Sequence, residues 1–181
     1  DKDIKNQSLR QFSDGLKEVA AKQSALFVDQ FDPYMAIMMR ERAADPAAFI
    51  GGGDAVHPGP AGHTIMAWAV LKGLGATALV SRAEIDGAAG KVLASEGCRV
   101  TNLKAGQGAV SFDRSDDALP MPVDPKAETA LKLAPILQDL NQYELKVAGL
   151  PDGTYELRID SEPAGKVSSE DLAKGWNLAT S

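Results

Sequence analysis

The chain has one cysteine, Cys98, so no disulfide can form within it. That suits a reducing cytosol and equally suits export, because large exported domains often fold without bridges. It has no long apolar run. The longest, from Ile65 to Leu74, is interrupted by Lys72 and falls short of the roughly 20 residues that span a bilayer. It has no excess of positive charge. Nineteen Lys and Arg face 25 Asp and Glu, a net charge of −6, which argues against nucleic acid or an anionic membrane as the main partner. No Met opens it and no signal peptide is visible, although a cleaved one would leave no trace. We expect from this that the sequence is not the complete gene product and that an exported or periplasmic location is open to it. Histidine is nearly absent too: the two present, His57 and His63, share one short loop region.

What is there is ordinary globular material. The 181 residues suffice for one large domain or two small ones, and 44% hydrophobic against 24% charged residues can bury a core. The charge is uneven. Residues 1–80 carry 8 Lys and Arg against 9 Asp and Glu, giving −1; residues 81–181 carry 11 against 16, giving −5.

Leu9, Phe12, Leu16, Val19 and Ala20 recur at helical spacing and predict an amphipathic helix over 6–23. "ALFVD" at 25–29 reads as a buried strand. Asp32 and Pro33 then suit the N-cap and first turn of a second helix through "YMAIMMRERAA", with its methionines filling core. "AGHTIMAWAVLKGLGA", 61–76, is apolar on nearly all sides and predicts a well-buried helix. This order belongs to a layered α/β domain, and one strand cannot make a sheet, so its other strands must lie elsewhere.

Near Ser81 the texture changes to short β-type runs between Gly-containing turns. The spacing predicts a hairpin over 143–160, with Leu145 and Val147 on one strand and Tyr155, Leu157 and Ile159 on the other. Pro151-Asp152-Gly153 supplies the turn. "DPKAETALKLAPILQDL" predicts a helix broken near Pro135. "SSEDLAKGWN" predicts a short helix capped by Ser168 or Ser169 and stopped at Gly175. A boundary near residue 80 therefore separates 1–80 from a β-rich module at 81–181.

The loop "GGGDAVHPGPAGH", 51–63, concentrates the chemistry. Asp54, three residues before His57, can fold back to Nδ1 and leave Nε2 facing outward, as the acid and base of a catalytic triad do. Pro58 biases His57 to an extended backbone, and Gly51, Gly52, Gly53 and Gly59 leave room for a substrate. Two other readings stand beside this one. The loop is a Gly/Pro turn in which His57 makes a hydrogen bond, or Asp54, His57 and His63 hold a metal, for which no familiar ligand spacing is present.

"DAVHPGPAGHTIMAWAVLKGL" resembles the last conserved block of the SGNH hydrolases, also called GDSL-type esterases: D-x-x-H-P, a Gly-His, then a helix with Met-Ala. The helix before it, "ALFVDQF" and the Met-rich helix also fit that family's closing βα units. Leu119-Pro120, the run Leu140 to Leu150, the run Gly153 to Asp160 and Asn177-Leu178-Ala179 resemble the C-terminal extension of a bacterial subgroup. The resemblance implies an α/β fold: the C-terminal part of a flavodoxin-like three-layer domain at 1–80, followed by a smaller β-rich α+β module at 81–181. It implies a serine esterase acting on a small-molecule acyl ester, acetylated carbohydrate included, with Asp54 and His57 catalytic and no metal or cofactor.

The family's nucleophile is the Ser of a G-D-S motif, with oxyanion donors from that Ser, a Gly and a G-x-N-D Asn. The chain has no G-D-S. Ser13-Asp14-Gly15 reverses the order inside a predicted helix, and Gly175-Trp176-Asn177 matches G-x-N by letters alone. None of the other serines, Ser8 and Ser24 among them, sits on a strand-end elbow. The expectation is a missing N-terminal segment or chain that brings strands, Ser, Gly and Asn, with residues 1–181 inactive alone. The alternative is a non-catalytic scaffold of this type whose β-rich module binds glycan or a partner.

Overall fold

Helical periodicity becomes helix over most of the first eighty residues. The computed structural model describes residues 2–50 and 57–180, which fall into two units. The first comprises residues up to Ala76 together with Pro122–Ile136. It holds α1 (Lys2–Lys22), α2 (Phe31–Ala44) and α3 (Pro60–Gly73). A 3-10 turn (Pro125–Ala127) and α4 (Thr129–Leu133) return to it from later in the chain. The composition boundary near residue 80 thus differs from the structural division, because 122–136 packs with the first unit.

The core of this unit is small. Ile37 and Met38 of α2, Ile65 and Ala69 of α3, and Ala127, Ala130 and Leu133 are buried. Asp29, not Asp32, begins α2: its Oδ1 accepts from the N–H groups of Phe31 (2.8 Å) and Asp32 (3.1 Å). Asp32 lies in the first turn and pairs with Arg10 of α1, whose guanidinium sits 4.6 Å over the Phe31 ring.

Two expectations are corrected here. Residues 25–29 form no strand, since a strand needs a ladder partner and the first unit contains no other strand among the described residues. The amphipathic helix over 6–23 is present as α1, with its apolar stripe exposed. α3 is buried along one side, through Gly62, Ile65 and Ala69, while Leu71 and Leu74 face outward.

The second unit, Thr77–Met121 with Leu137–Ser181, carries the strands. β1 (Leu79–Asp86), β2 (Lys91–Glu96), β5 (Gln142–Ala148) and β8 (Trp176–Asn177) form a mixed sheet in the order β2-β1-β5-β8. β1 and β5 run parallel, with Ala83 opposite Leu145, and the outer pairs are antiparallel. Alternation sorts the faces. Ser81, Ala83 and Ile85, with Tyr143, Leu145 and Val147, point inward; Arg82, Glu84, Glu144 and Lys146 form a laddered set of ion pairs outward. Two hairpins, β3–β4 (Cys98–Gly106, Ala109–Asp116) and β6–β7 (Thr154–Ile159, Glu162–Ser168), add Val100, Phe112, Leu157 and Val167 to the same core.

The hairpin expected over 143–160 is corrected. Both strands exist, but β5 pairs with β1 and β8, and β6 pairs with β7 across a turn at Asp160 and Ser161. The two short helices follow expectation. Helix breaks at Ala134-Pro135 between α4 and α5 (Ile136–Leu140). In α6 (Ser169–Lys174), the Ser168 Oγ accepts from Asp171 N–H at 3.0 Å and Gly175, φ 120°, ends the helix. The chain is thus α/β, with helices and a mixed sheet.

Candidate active site

His57 lies immediately before α3. Gly59 is the N-cap, with an extended ψ of −172°, and Pro60 occupies the first helical turn, where its missing N–H costs nothing. His57 is exposed, two residues upstream of that cap, and Pro58 separates it from the turn. The loop is therefore carried by a rigid element. Its anchor is Ile65 and Ala69 on the buried side of α3, against the 3-10 turn and α4, where Ala127 and Ala130 are fully buried. Arg40 of α2 ties α4 in place, its Nη2 donating to Leu133 O at 2.6 Å.

Asp54 and Gly51–Gly53, and with them the expected Asp54–His57 pairing, lie outside the described residues. His63 is a first-turn residue of α3 on the exposed side, its Nδ1 3.1 Å from Gly59 O. Among the described residues no three His, Cys, Asp or Glu side chains converge on a common point.

The serines divide clearly. Ser13 is in the middle of α1, and Asp14 beside it pairs with Arg10 at 3.7 Å. Ser24 follows the end of α1 with φ 53°. Ser81 is the serine that sequence reasoning passed over. It is wholly buried, hydrogen-bonded to Asp116, and accepts from Arg114 Nη2 at 2.7 Å. Arg114 also reaches Asp116 at 3.0 Å and Glu144 O at 3.0 Å. A serine with no access and an acid–arginine pair in place of a base is a structural clamp, not a nucleophile. No sequence pattern announces it, since its members come from β1 and β4.

Asn177 is likewise engaged structurally. Its Oδ1 accepts from Tyr143 N–H (2.9 Å) and Ala179 N–H (3.1 Å), holding β8 to the sheet edge. Burial raises the Tyr143 phenol above its usual range, with the nearby Asp116 charge adding to it, and the neutral phenol donates to Ala118 O. The Glu144 carboxylate, hydrogen-bonded and ion-paired to Arg82, raises that guanidinium further.

No protein family matches the chain by its sequence profile, and no curated protein matches it. Among solved structures it is similar to a gut microbial diltiazem-metabolizing enzyme. The two are 32% identical, with a TM-score of 0.82, over 96% of this chain and 41% of that one. The chain therefore spans less than half the length of that enzyme.

Proposed function

We propose that the chain carries the acid–base half of a serine ester hydrolase of the SGNH type. His57 is the base, Asp54 orients it, and the nucleophilic Ser and oxyanion donors come from polypeptide outside residues 1–181. The observation that carries this is His57, exposed at the start of the rigidly packed α3 within the D-x-x-H-P block. The 32% identity to a drug-metabolizing enzyme over nearly all of this chain supports it. We assign the reaction to the domain at 1–80 and an accessory role to the β-rich module at 81–181.

The chemistry is acyl transfer. The Ser Oγ attacks the ester carbonyl carbon while His57 Nε2 takes its proton. Amide donors and an Asn hold the oxyanion. As the C–O bond breaks, His57 returns the proton to the departing alcohol. Water then repeats the sequence on the acyl-enzyme, releasing the acid and restoring Ser. Asp54 holds the imidazole in the required tautomer and stabilises the imidazolium. Small acyl esters, acetylated sugars among them, are the substrate class.

Short-chain aryl ester hydrolysis tests this reading. The full-length natural protein should turn over p-nitrophenyl acetate and label with a fluorophosphonate, and residues 1–181 alone should do neither. Stoichiometric labelling of residues 1–181 would overturn the placement of the nucleophile. An inert full-length protein would favour the non-catalytic scaffold.

A further inference from the structure

Pro58, Gly59 and Pro60 lead from His57 into α3, and their torsions are not equally free. Each proline ring locks its own φ at about −65°. Gly59 between them has no Cβ, so it escapes much of the restriction that a proline places on the residue before it. It is the N-cap of α3, with φ −76° and ψ −172°, and has no side chain with which to hold itself there. Gly59 is therefore the swivel between the packed helix and His57.

The Gly59–Pro60 peptide carries no N–H, because proline supplies none. Its carbonyl is the one group by which that peptide can be hydrogen-bonded. His63 supplies two contacts to it: the backbone N–H at 3.0 Å, as in any helix, and the ring Nδ1 at 3.1 Å. A carbonyl oxygen can only accept, so Nδ1 carries the proton. The next residue makes a bond of the same kind in a different place. Thr64 Oγ1 donates at 2.9 Å to Pro60 O, which already belongs to the helix.

We propose that His63 is a positioning residue of the active site. Its Nδ1–H clamps the Gly59 carbonyl, stops the swivel and so fixes the direction in which His57 presents its imidazole. This rests on the function proposed above, in which His57 is the base. His63 itself moves no proton; it acts through the Gly59 peptide. A base that points away for part of the time slows proton transfer and leaves substrate binding alone.

Variants of the full-length natural protein test the clamp. His63→Leu removes the ring donor and keeps the helix. Its kcat on p-nitrophenyl acetate should fall about fivefold, the worth of one ordinary hydrogen bond, with KM within about twofold. Fluorophosphonate labelling, which also needs the base, should slow by the same factor. His63→Asn places Nδ2 where Nδ1 stood and should restore both rates. Thr64→Val removes the neighbouring bond and should leave both rates unchanged. In a His57→Ala background His63→Leu should have no further effect, since the residue through which it acts is gone. Nitrogen-15 relaxation reads the clamp without turnover: the order parameters of the His57 and Gly59 amides should fall towards about 0.6 in His63→Leu and stay rigid in Thr64→Val.

Equal losses in His63→Leu and Thr64→Val would make both bonds mere stabilisers of the helix start and overturn the proposal. So would unchanged order parameters, or an effect of His63→Leu that persists without His57. A protein that turns over the ester, loses activity with His57→Ala and ignores His63→Leu keeps the proposed function and removes the clamp. An inert full-length protein removes the proposed function, and the part of His63 in it.

Discussion

Arg40 Nη2 donates a 2.6 Å hydrogen bond to Leu133 O, a residue 93 positions later in the chain. The bond closes the C-terminal end of α4 with a cation, where the helix leaves its carbonyls unpaired. It thereby fixes the returning segment 122–136 against α2.

Arg40→Ala should loosen that segment. The side chain is 58% exposed, so the loss is modest, about 1 kcal/mol. Urea unfolding should register it, and exchange at the amides of 130–134 should rise more than at those of the sheet. Arg40→Lys should restore part of the stability. Unchanged exchange at 130–134 would show that burial of Ala127 and Ala130 alone holds the segment.

Arg114→Leu should cost more. Its side chain is 7% exposed, and its removal takes from Ser81 and from the 25% exposed Asp116 their shared cationic donor, although those two keep their own hydrogen bond. Losing a charge-assisted partner at a partly buried carboxylate costs about 2 kcal/mol. Thermal unfolding should show a large drop for Arg114→Leu and partial recovery when Asp116→Leu is added. A drop of under about 1 kcal/mol would mean that the clamp is open to water.

Two glycines of the loop after β5 should respond oppositely. Gly149 has φ 76°, and a Cβ there would lie 3.0 Å from Ala88 Cβ and 3.1 Å from Asp86 Oδ1. Gly149→Val should cost about 2 kcal/mol. Gly153 has open space around it and no positive φ, so Gly153→Val should stay within about 0.5 kcal/mol. Melting curves of the two variants decide this.

Stability should fall at high pH partly through Tyr143. Burial raises its pKa in the fold, so above about pH 10 the unfolded chain ionises this tyrosine first and binds fewer protons. The contribution is full below pH 10 and is lost as pH rises towards the folded value. Tyr34, also raised by burial, acts in the same direction, so the reading is the difference between the native protein and Tyr143→Phe. Parallel pH profiles for the two would refute the assignment to Tyr143.

In the full-length natural protein, His57→Ala should lower kcat on the order of 10⁶-fold and Asp54→Ala on the order of 10⁴-fold. His57→Ala should shift the melting temperature little, since His57 is exposed and buries little surface. Steady-state kinetics on a short-chain ester measures both. Comparable loss of stability and activity would make His57 a structural residue.

The sequence carried the local features well. α1, α2, α3 and α6 were legible because helical spacing, Ser168 and Gly175 act within a few residues of where they are read. Strand partners were not. Leu145 and Val147 alternate correctly, yet alternation names a face and not a neighbour, and their neighbours are Ala83 and Ile85. Asp29 was missed as a cap because it was read as the end of a strand. The position of His57 before α3 was legible from Pro58, Gly59 and Pro60. The clamp of Ser81, Asp116 and Arg114 was not, because it depends on β4 folding back onto β1.

The parallel register of β1 with β5 has a consequence for synthesis. When Leu79–Asp86 leaves the ribosome, its parallel partner Gln142–Ala148 has not yet been translated. β1 can meanwhile pair with β2, and β3 with β4, as local antiparallel ladders. The inward row of Ser81, Ala83 and Ile85 stays half-covered until the later strand arrives. Pairing across such sequence separation is slow. During that interval the nascent chain exposes an aggregation-prone strand edge, so truncation before residue 148 should yield insoluble product.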